Sequence, residues 1–198
     1  MEYILFVGAA ICSLAGYYTY FRKITKNSIT PNRWSWLIWS FATLLETITY
    51  DAVSDDVVKT IIFYISSVAC ILITIKIWRK AQWKRPDDWS EICSVVASFA
   101  AILIWIIFHQ AWWAHAILLV SLPIAFIPTY KDAWANYTSE DTIAWLLWSI
   151  GDLLAIGLVV SRLQTAHEIP YAIAEFICHI IVVIIVTQRK LKVKQVLQ

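Results

Sequence analysis

Residues 92–130 read ICSVVASFAAILIWIIFHQAWWAHAILLVSLPIAFIPTY, 39 consecutive positions without an Asp, Glu, Lys or Arg. One helical crossing of a bilayer takes about 20 apolar residues. The stretch is therefore two crossings with a turn between them, expected at His109-Gln110. Outward from it, further apolar segments run over residues 3–21, 34–50, 60–75, 142–161 and 170–188. That pattern predicts seven helices. An outer-membrane barrel would alternate apolar and polar residues along each strand, and the run Ile177 to Val186 does not.

Composition agrees. The chain has 198 residues, of which 60% are hydrophobic and 15% charged, where a soluble domain carries about 25% charged. A soluble fold must cover its surface with polar groups and has no room for so little charge. No basic face for nucleic acid is present. The expected surroundings are a lipid bilayer, as an integral membrane protein.

The charges that do occur are distributed unevenly. Arg22, Lys23, Lys26 and Arg33 follow the first segment, and Lys76 to Arg85 follow the third. Lys131 follows the fifth and Arg189 to Lys194 the last. Fourteen basic residues thus fall on one side, against Lys59 and Arg162 on the other. By the positive-inside rule the N-terminus lies outside and the C-terminus in the cytoplasm, as in a bacterial inner (plasma) membrane. Glu2 precedes the first segment and the basic residues follow it, the reverse of a cleaved signal peptide. Cys12, Cys70, Cys93 and Cys178 are scattered within spans and read as packed thiols. The sequon Asn136-Tyr137-Thr138 falls on the cytoplasmic side, where it is not used.

The chain also repeats itself. Trp36-Leu37-Ile38-Trp39-Ser40 returns as Trp145-Leu146-Leu147-Trp148-Ser149, 109 residues later. Thr19-Tyr20 returns as Thr129-Tyr130, and Arg79-Lys80 as Arg189-Lys190, both at an offset of 110. Three anchors agreeing within one residue imply that helices one to three correspond to five to seven. The predicted fold is all-α: seven transmembrane helices as two parallel three-helix repeats joined by a linker helix. The corresponding segments are residues 1–80, 81–111 for the linker, and 112–198 with a basic tail.

This three-plus-one-plus-three plan, with its repeated element spanning the end of helix one and the start of helix two, resembles the PQ-loop or SWEET-like transporters. The resemblance covers nearly the whole chain. Pro128-Thr129 stands where the family has its Pro-Gln pair in the second repeat, and Tyr18-Thr19 in the first. The Trp-rich second helix is also similar to the Pnu-type vitamin transporters. The resemblance implies a membrane transporter for a small polar metabolite (a sugar, amino acid or vitamin-like solute), working by alternating access between two three-helix bundles. A homo-oligomer is compatible with it. The alternative is a non-transporting seven-helix sensor or assembly subunit on the same scaffold, since fold alone does not fix function.

Ionisable residues deep in a span are costly and mark function by default. Glu46, Asp152, Glu175 and His179 qualify. At about 1.5 Å per residue, Glu46 lies roughly 15 Å beyond Trp36, mid-membrane. Trp36, Trp39, Thr43 and Glu46 share one helical face, and Trp145, Trp148 and Asp152 trace the equivalent face of the second repeat. Glu175 and His179, four residues apart, are expected to hydrogen-bond directly or through water. Trp39, Glu46, Trp148, Asp152, Glu175 and His179 are the candidate substrate-binding residues: aromatic walls with a few polar groups. A carboxyl that changes protonation would make protons a coupled partner. Trp36 and Trp145, near helix ends, also fit the role of interfacial anchors.

Other chemistries lack their residues. The last span has no lysine for a retinal Schiff base, the four histidines are dispersed rather than set as metal ligands, and no Gly-rich phosphate loop exists. No cofactor, metal or enzymatic activity is expected. Pro123 and Pro128 interrupt the fifth helix, where the first has no proline, and a bend there is the candidate gate. Thr30 before Pro31 reads as the cap of helix two, and Asp88-Trp89-Ser90-Glu91 as that of helix four.

Overall fold

The computed structural model describes residues 2–53, 57–80, 89–108, 111–162 and 168–196. They form seven α-helices: α1 (Glu2–Thr25), α2 (Arg33–Val53), α3 (Val57–Lys80), α4 (Trp89–Phe108), α5 (Ala111–Ala135), α6 (Thr142–Ser161) and α7 (Glu168–Val196). A 3₁₀ turn, Tyr137–Ser139, joins α5 to α6. The long charge-free run divides as expected into α4 and α5; the turn assigned to His109-Gln110 lies outside the described residues. Among the described residues, four helices are long and apolar enough to cross a membrane: α1, α6, and the parts of α3 and α7 over Thr60–Lys80 and Ile169–Val196.

The burial pattern inverts that of a soluble bundle. On α1, Ile4, Val7, Ile11, Leu14 and Tyr18 recur at three- and four-residue spacing and are exposed, while Ala9, Gly16 and Tyr20 are buried. On α2 the exposed positions are Phe41, Leu44 and Ile48, and the buried ones include Ser40, Thr43, Glu46 and Thr47. A stripe of large apolar side chains facing out is stable against lipid tails, whereas water would penalise it. Inside, serine and threonine hydroxyls donate to carbonyls of the preceding helical turn. Ser40 donates to Trp36 O and Thr43 to Trp39 O at 2.9 and 2.8 Å.

α3 packs against both α1 and α2, and α7 against both α5 and α6. Between these groups α1 lies on α6 and α2 on α5, while α4 covers α5 and α2. The helices alternate in direction. Lys80 at the end of α3 donates to the terminal carbonyls of α1, Ile24 O at 2.6 Å and Thr25 O at 3.0 Å. Arg189 and Lys192 on α7 lie over Trp134 at the end of α5. This basic end also holds the starts of α2 and α6. Arg162 after α6 meets Glu2 at the start of α1, 2.9 Å away, at the opposite end.

Helix two begins later than its Thr30-Pro31 pair suggests. Asn32 is the capping residue, its Oδ1 accepting from Trp34 N and Ser35 N at 3.0 Å each. Asparagine is among the strongest capping residues, its carboxamide oxygen reaching the N–H groups two and three positions on. Helix six is capped in the same way by Asp141, whose Oδ1 accepts from Ala144 N at 2.9 Å. α4 starts at Trp89, with Asp88 outside the described residues; Glu91 is buried and accepts from Asn32 Nδ2 at 2.9 Å, tying α4 to α2. Cys70 and Cys178 are packed thiols, but Cys93 faces outward on α4. Both prolines lie within α5, with Pro123 exposed and Pro128 buried.

Candidate functional site

The interior has two levels. Toward the basic end lies an aromatic layer from four helices. Tyr20 of α1 sits 4.9 Å from Trp36 and 5.3 Å from Trp148 between ring centroids. Trp39 packs on Phe126 of α5 at 4.6 Å, and Trp145 on Trp148 at 4.8 Å. Trp36 and Trp145 are only 2% and 1% exposed, so they are core residues of this layer and not interfacial anchors. The chain accommodates the bulk of Trp148 with Gly16: a Cβ there would stand 2.7 Å from the indole Nε1.

Beyond the layer, away from the basic end, is a cavity of about 70 Å³. Glu46 of α2, Asp152 of α6, and Tyr171, Glu175 and His179 of α7 line it. A second cavity of about 30 Å³ adjoins it through the aromatic layer and is lined by Trp39, Phe126 and Trp145. Trp148, Glu175 and His179 border both. All six residues singled out from the sequence therefore meet around these two spaces, and neither Pro123 nor Pro128 borders them. The larger one has room for several waters or one small polar group.

The polar groups do not pair as their sequence spacing suggests. His179 Nδ1 faces Asp152 Oδ2 at 2.6 Å, across from α7 to α6. Glu175, one turn earlier on α7, borders the cavity and makes no direct hydrogen bond to His179. The imidazole is also held by rings, 5.2 Å from Trp145 and 5.5 Å from Phe126. Glu46 is 2% exposed and hydrogen-bonds with Tyr171. Trp39 Nε1 and Trp148 Nε1 are buried donors with no acceptor. Such groups are rare in folded interiors. Among the described residues, no three His, Cys, Asp or Glu side chains come together as a metal-ligand set.

Three participants escape a reading limited to Trp and to ionisable residues deep in a span. Tyr171 precedes Glu175 by four and His179 by eight, so the stripe extended one turn would have included it. Tyr20 stands in the repeated Thr-Tyr pair. Glu140 carries no signal: it precedes a helix cap among polar neighbours, as surface acids do, yet it is 4% exposed.

No protein-family model, no curated protein and no solved structure matches this chain.

Proposed function

We propose that the chain is an integral membrane transporter for a small polar solute, and that Asp152, Glu175, His179 and Glu46 bind that solute within seven membrane-spanning helices. The observation that carries this reading is the convergence of three carboxyl groups and an imidazole, from three helices, on one cavity inside an apolar bundle. A scaffold does not need these groups there, and their placement is expensive. Trp39 Nε1, a buried donor without an acceptor beside the smaller cavity, supports a ligand with hydrogen-bonding oxygens or nitrogens.

Alternating access needs two bundles that can rock, and the helix packing supports a three-plus-one-plus-three division. Exchanging α1 with α5, α2 with α6 and α3 with α7 turns each helix pair that does not involve α4 into another observed pair: α1–α3 into α5–α7, α2–α3 into α6–α7, α1–α6 into α5–α2. Details follow the same correspondence. Asn32 and Asp141, 109 apart, are the two caps. Ser40 and Ser149 donate to Trp36 O and Trp145 O at 2.9 Å in both cases. Gly16 packs on Trp148, and Phe126, 110 later, packs on Trp39. α4 is left as the linker, and the basic end faces the cytoplasm in this reading.

The test begins with the purified chain and a panel of sugars, amino acids and vitamin-like nucleosides, read by thermal shift. A ligand that binds only the folded state raises the melting temperature. The expected result is a hit that Asp152→Asn and Glu175→Gln remove while each variant keeps its ligand-free helicity. A hit bound equally well by both variants refutes the site.

A further inference from the structure

Glu140 sits between the 3₁₀ turn and the Asp141 cap, in the connection between α5 and α6 and outside the membrane-spanning segments. Its Oε2 accepts two hydrogen bonds, from Tyr20 OH of α1 at 2.6 Å and from Trp145 Nε1 of α6 at 2.7 Å. Tyr20 OH in turn accepts from Trp36 Nε1 of α2 at 3.1 Å. One carboxyl oxygen is thus the hub through which α1, α2 and α6 are joined at the basic end, directly beneath the aromatic layer. The other oxygen, Oε1, is buried and has no hydrogen-bond partner.

The surrounding charges leave that oxygen uncompensated. On α1, Lys23 is engaged with Asp141 at 3.2 Å, and Lys80 of α3 caps α1. On α5, Asp132 accepts from Asn32 Nδ2 at 3.1 Å and adds a negative neighbour. On α2, Arg33 lies over the Trp34 and Trp78 rings. On α7, Arg189 and Lys192 lie over Trp134, and on α4 Glu91 is held by Asn32. Among the described residues, no cation pairs with Glu140.

We propose that Glu140 is a proton-binding latch, holding the basic end of the bundle shut while its carboxyl carries a proton on Oε1 and releasing that end when the proton passes to water. In the protonated form Oε2 still accepts from Tyr20 and Trp145, so the hub survives without burying a charge. In the ionised form the anion has one unsolvated oxygen and the Asp132 and Asp141 carboxyls for neighbours. Desolvation by burial dominates and pushes the Glu140 carboxyl up to about 8, against the lowering effect of the two hydrogen bonds. If opening hydrates the group and returns it to the ordinary carboxylate range, the closed form binds the proton more tightly than the open one. The seal is then strongest at low pH. It weakens by about tenfold per pH unit as pH rises from the ordinary carboxylate value toward about 8, and no further above that. The latch goes beyond the transport reading and stands whether or not a solute crosses.

The test uses the full chain in micelles and two readouts. In infrared difference spectra between the parent chain and Glu140→Gln, a protonated-carboxyl band should be present near pH 6 and lost as pH rises through about 8. For access, Ser139→Cys is introduced with the four native cysteines replaced, because Ser139 is 3% exposed and its Oγ has no hydrogen bond to lose. N-ethylmaleimide labelling is compared with the same cysteine on the Glu140→Gln background, which cancels ionisation of the thiol itself. The ratio of the two rates should rise at least about tenfold between about pH 6 and pH 9. If replacement of the native cysteines prevents folding, tryptophan emission of the parent chain against Glu140→Gln over the same range replaces the labelling, with a pH-dependent shift expected in the parent alone. A carboxyl already ionised near pH 6 overturns the proposal. So does a band that titrates while access, or the emission, follows the Glu140→Gln variant.

Discussion

Helices α2 and α6 begin alike and then part. Each is capped by a side chain at the equivalent position, carries Trp-Leu-x-Trp-Ser, and bonds its serine back to the first tryptophan. Three residues later α2 has Thr43 and α6 has Asp152. Thr43 satisfies itself on its own helix, donating to Trp39 O at 2.8 Å. Asp152 cannot, and finds His179 on α7. At the 110-residue offset, α3 offers Ile65 and Ala69 where α7 has Glu175 and His179. The shared residues set the packing of both helices, and the divergent ones put most of the interior polar chemistry in the second half. The first half contributes Glu46, whose counterpart position is Ala155.

The largest contrast should come at that point of divergence. Asp152→Ala leaves His179 without its partner at a largely buried site, and the loss of unfolding free energy in micelles should be about 3–5 kcal/mol. Thr43→Ala removes a bond local to one helix and should cost about 1 kcal/mol. Equal losses would break the comparison. They would mean that the Asp152–His179 pair contributes no more than a helical hydroxyl.

A smaller contrast lies on the glycines where α1 meets α6. Gly16→Ala forces a methyl group to within 2.7 Å of the Trp148 indole, which α1, Tyr20 and Trp145 hold in place. That overpacking should lower stability by about 1–3 kcal/mol. At Gly157 the added methyl would meet only Leu5 at 3.5 Å, an ordinary contact. Gly157→Ala should be neutral or stabilising by up to about 1 kcal/mol through helix propensity. Melting of the two variants side by side reads the difference; a neutral Gly16→Ala would show that the aromatic layer can shift.

The smallest effects are on the caps. Loss of the cap alone should cost about 1 kcal/mol at either site, and Asn32→Ala should cost more than Asp141→Ala because it also removes the hydrogen bonds to Glu91 and Asp132. Asp141 also holds Lys23 at 3.2 Å, but Lys23 is 41% exposed, so the pair adds little. Denaturation curves in which Asp141→Ala costs as much as Asn32→Ala would mean that the bonds from Asn32 to Glu91 and Asp132 add nothing to the cap.

Much of this was legible in the chain. The charge-free run over residues 92–130 divides into α4 and α5 because hydropathy and helix length are properties of contiguous sequence. The inward stripes on α2 and α6 were legible because helical period fixes which residues share a face. What remained hidden depends on packing between helices. The i, i+4 spacing of Glu175 and His179 suggested a pair within α7, but the imidazole turned to a carboxyl on α6. Trp36 and Trp145 near helix ends were compatible with anchoring in the interface, and only the convergence of α1, α2, α5 and α6 makes them core. Glu140 could not be told from a surface acid by its neighbours, because its burial comes from Tyr20, 120 residues away.

The central proposal, that this interior site moves a solute and does not merely hold one, is tested most directly in proteoliposomes. Vesicles are loaded with the unlabelled thermal-shift hit, and entry of the labelled compound is followed against empty vesicles and against Asp152→Asn. The expected result is exchange well above that of empty vesicles, lost in the variant. A solute that binds the wild-type chain and shifts its melting, yet exchanges no faster than through protein-free vesicles, would contradict transport and leave a binding sensor on the same scaffold.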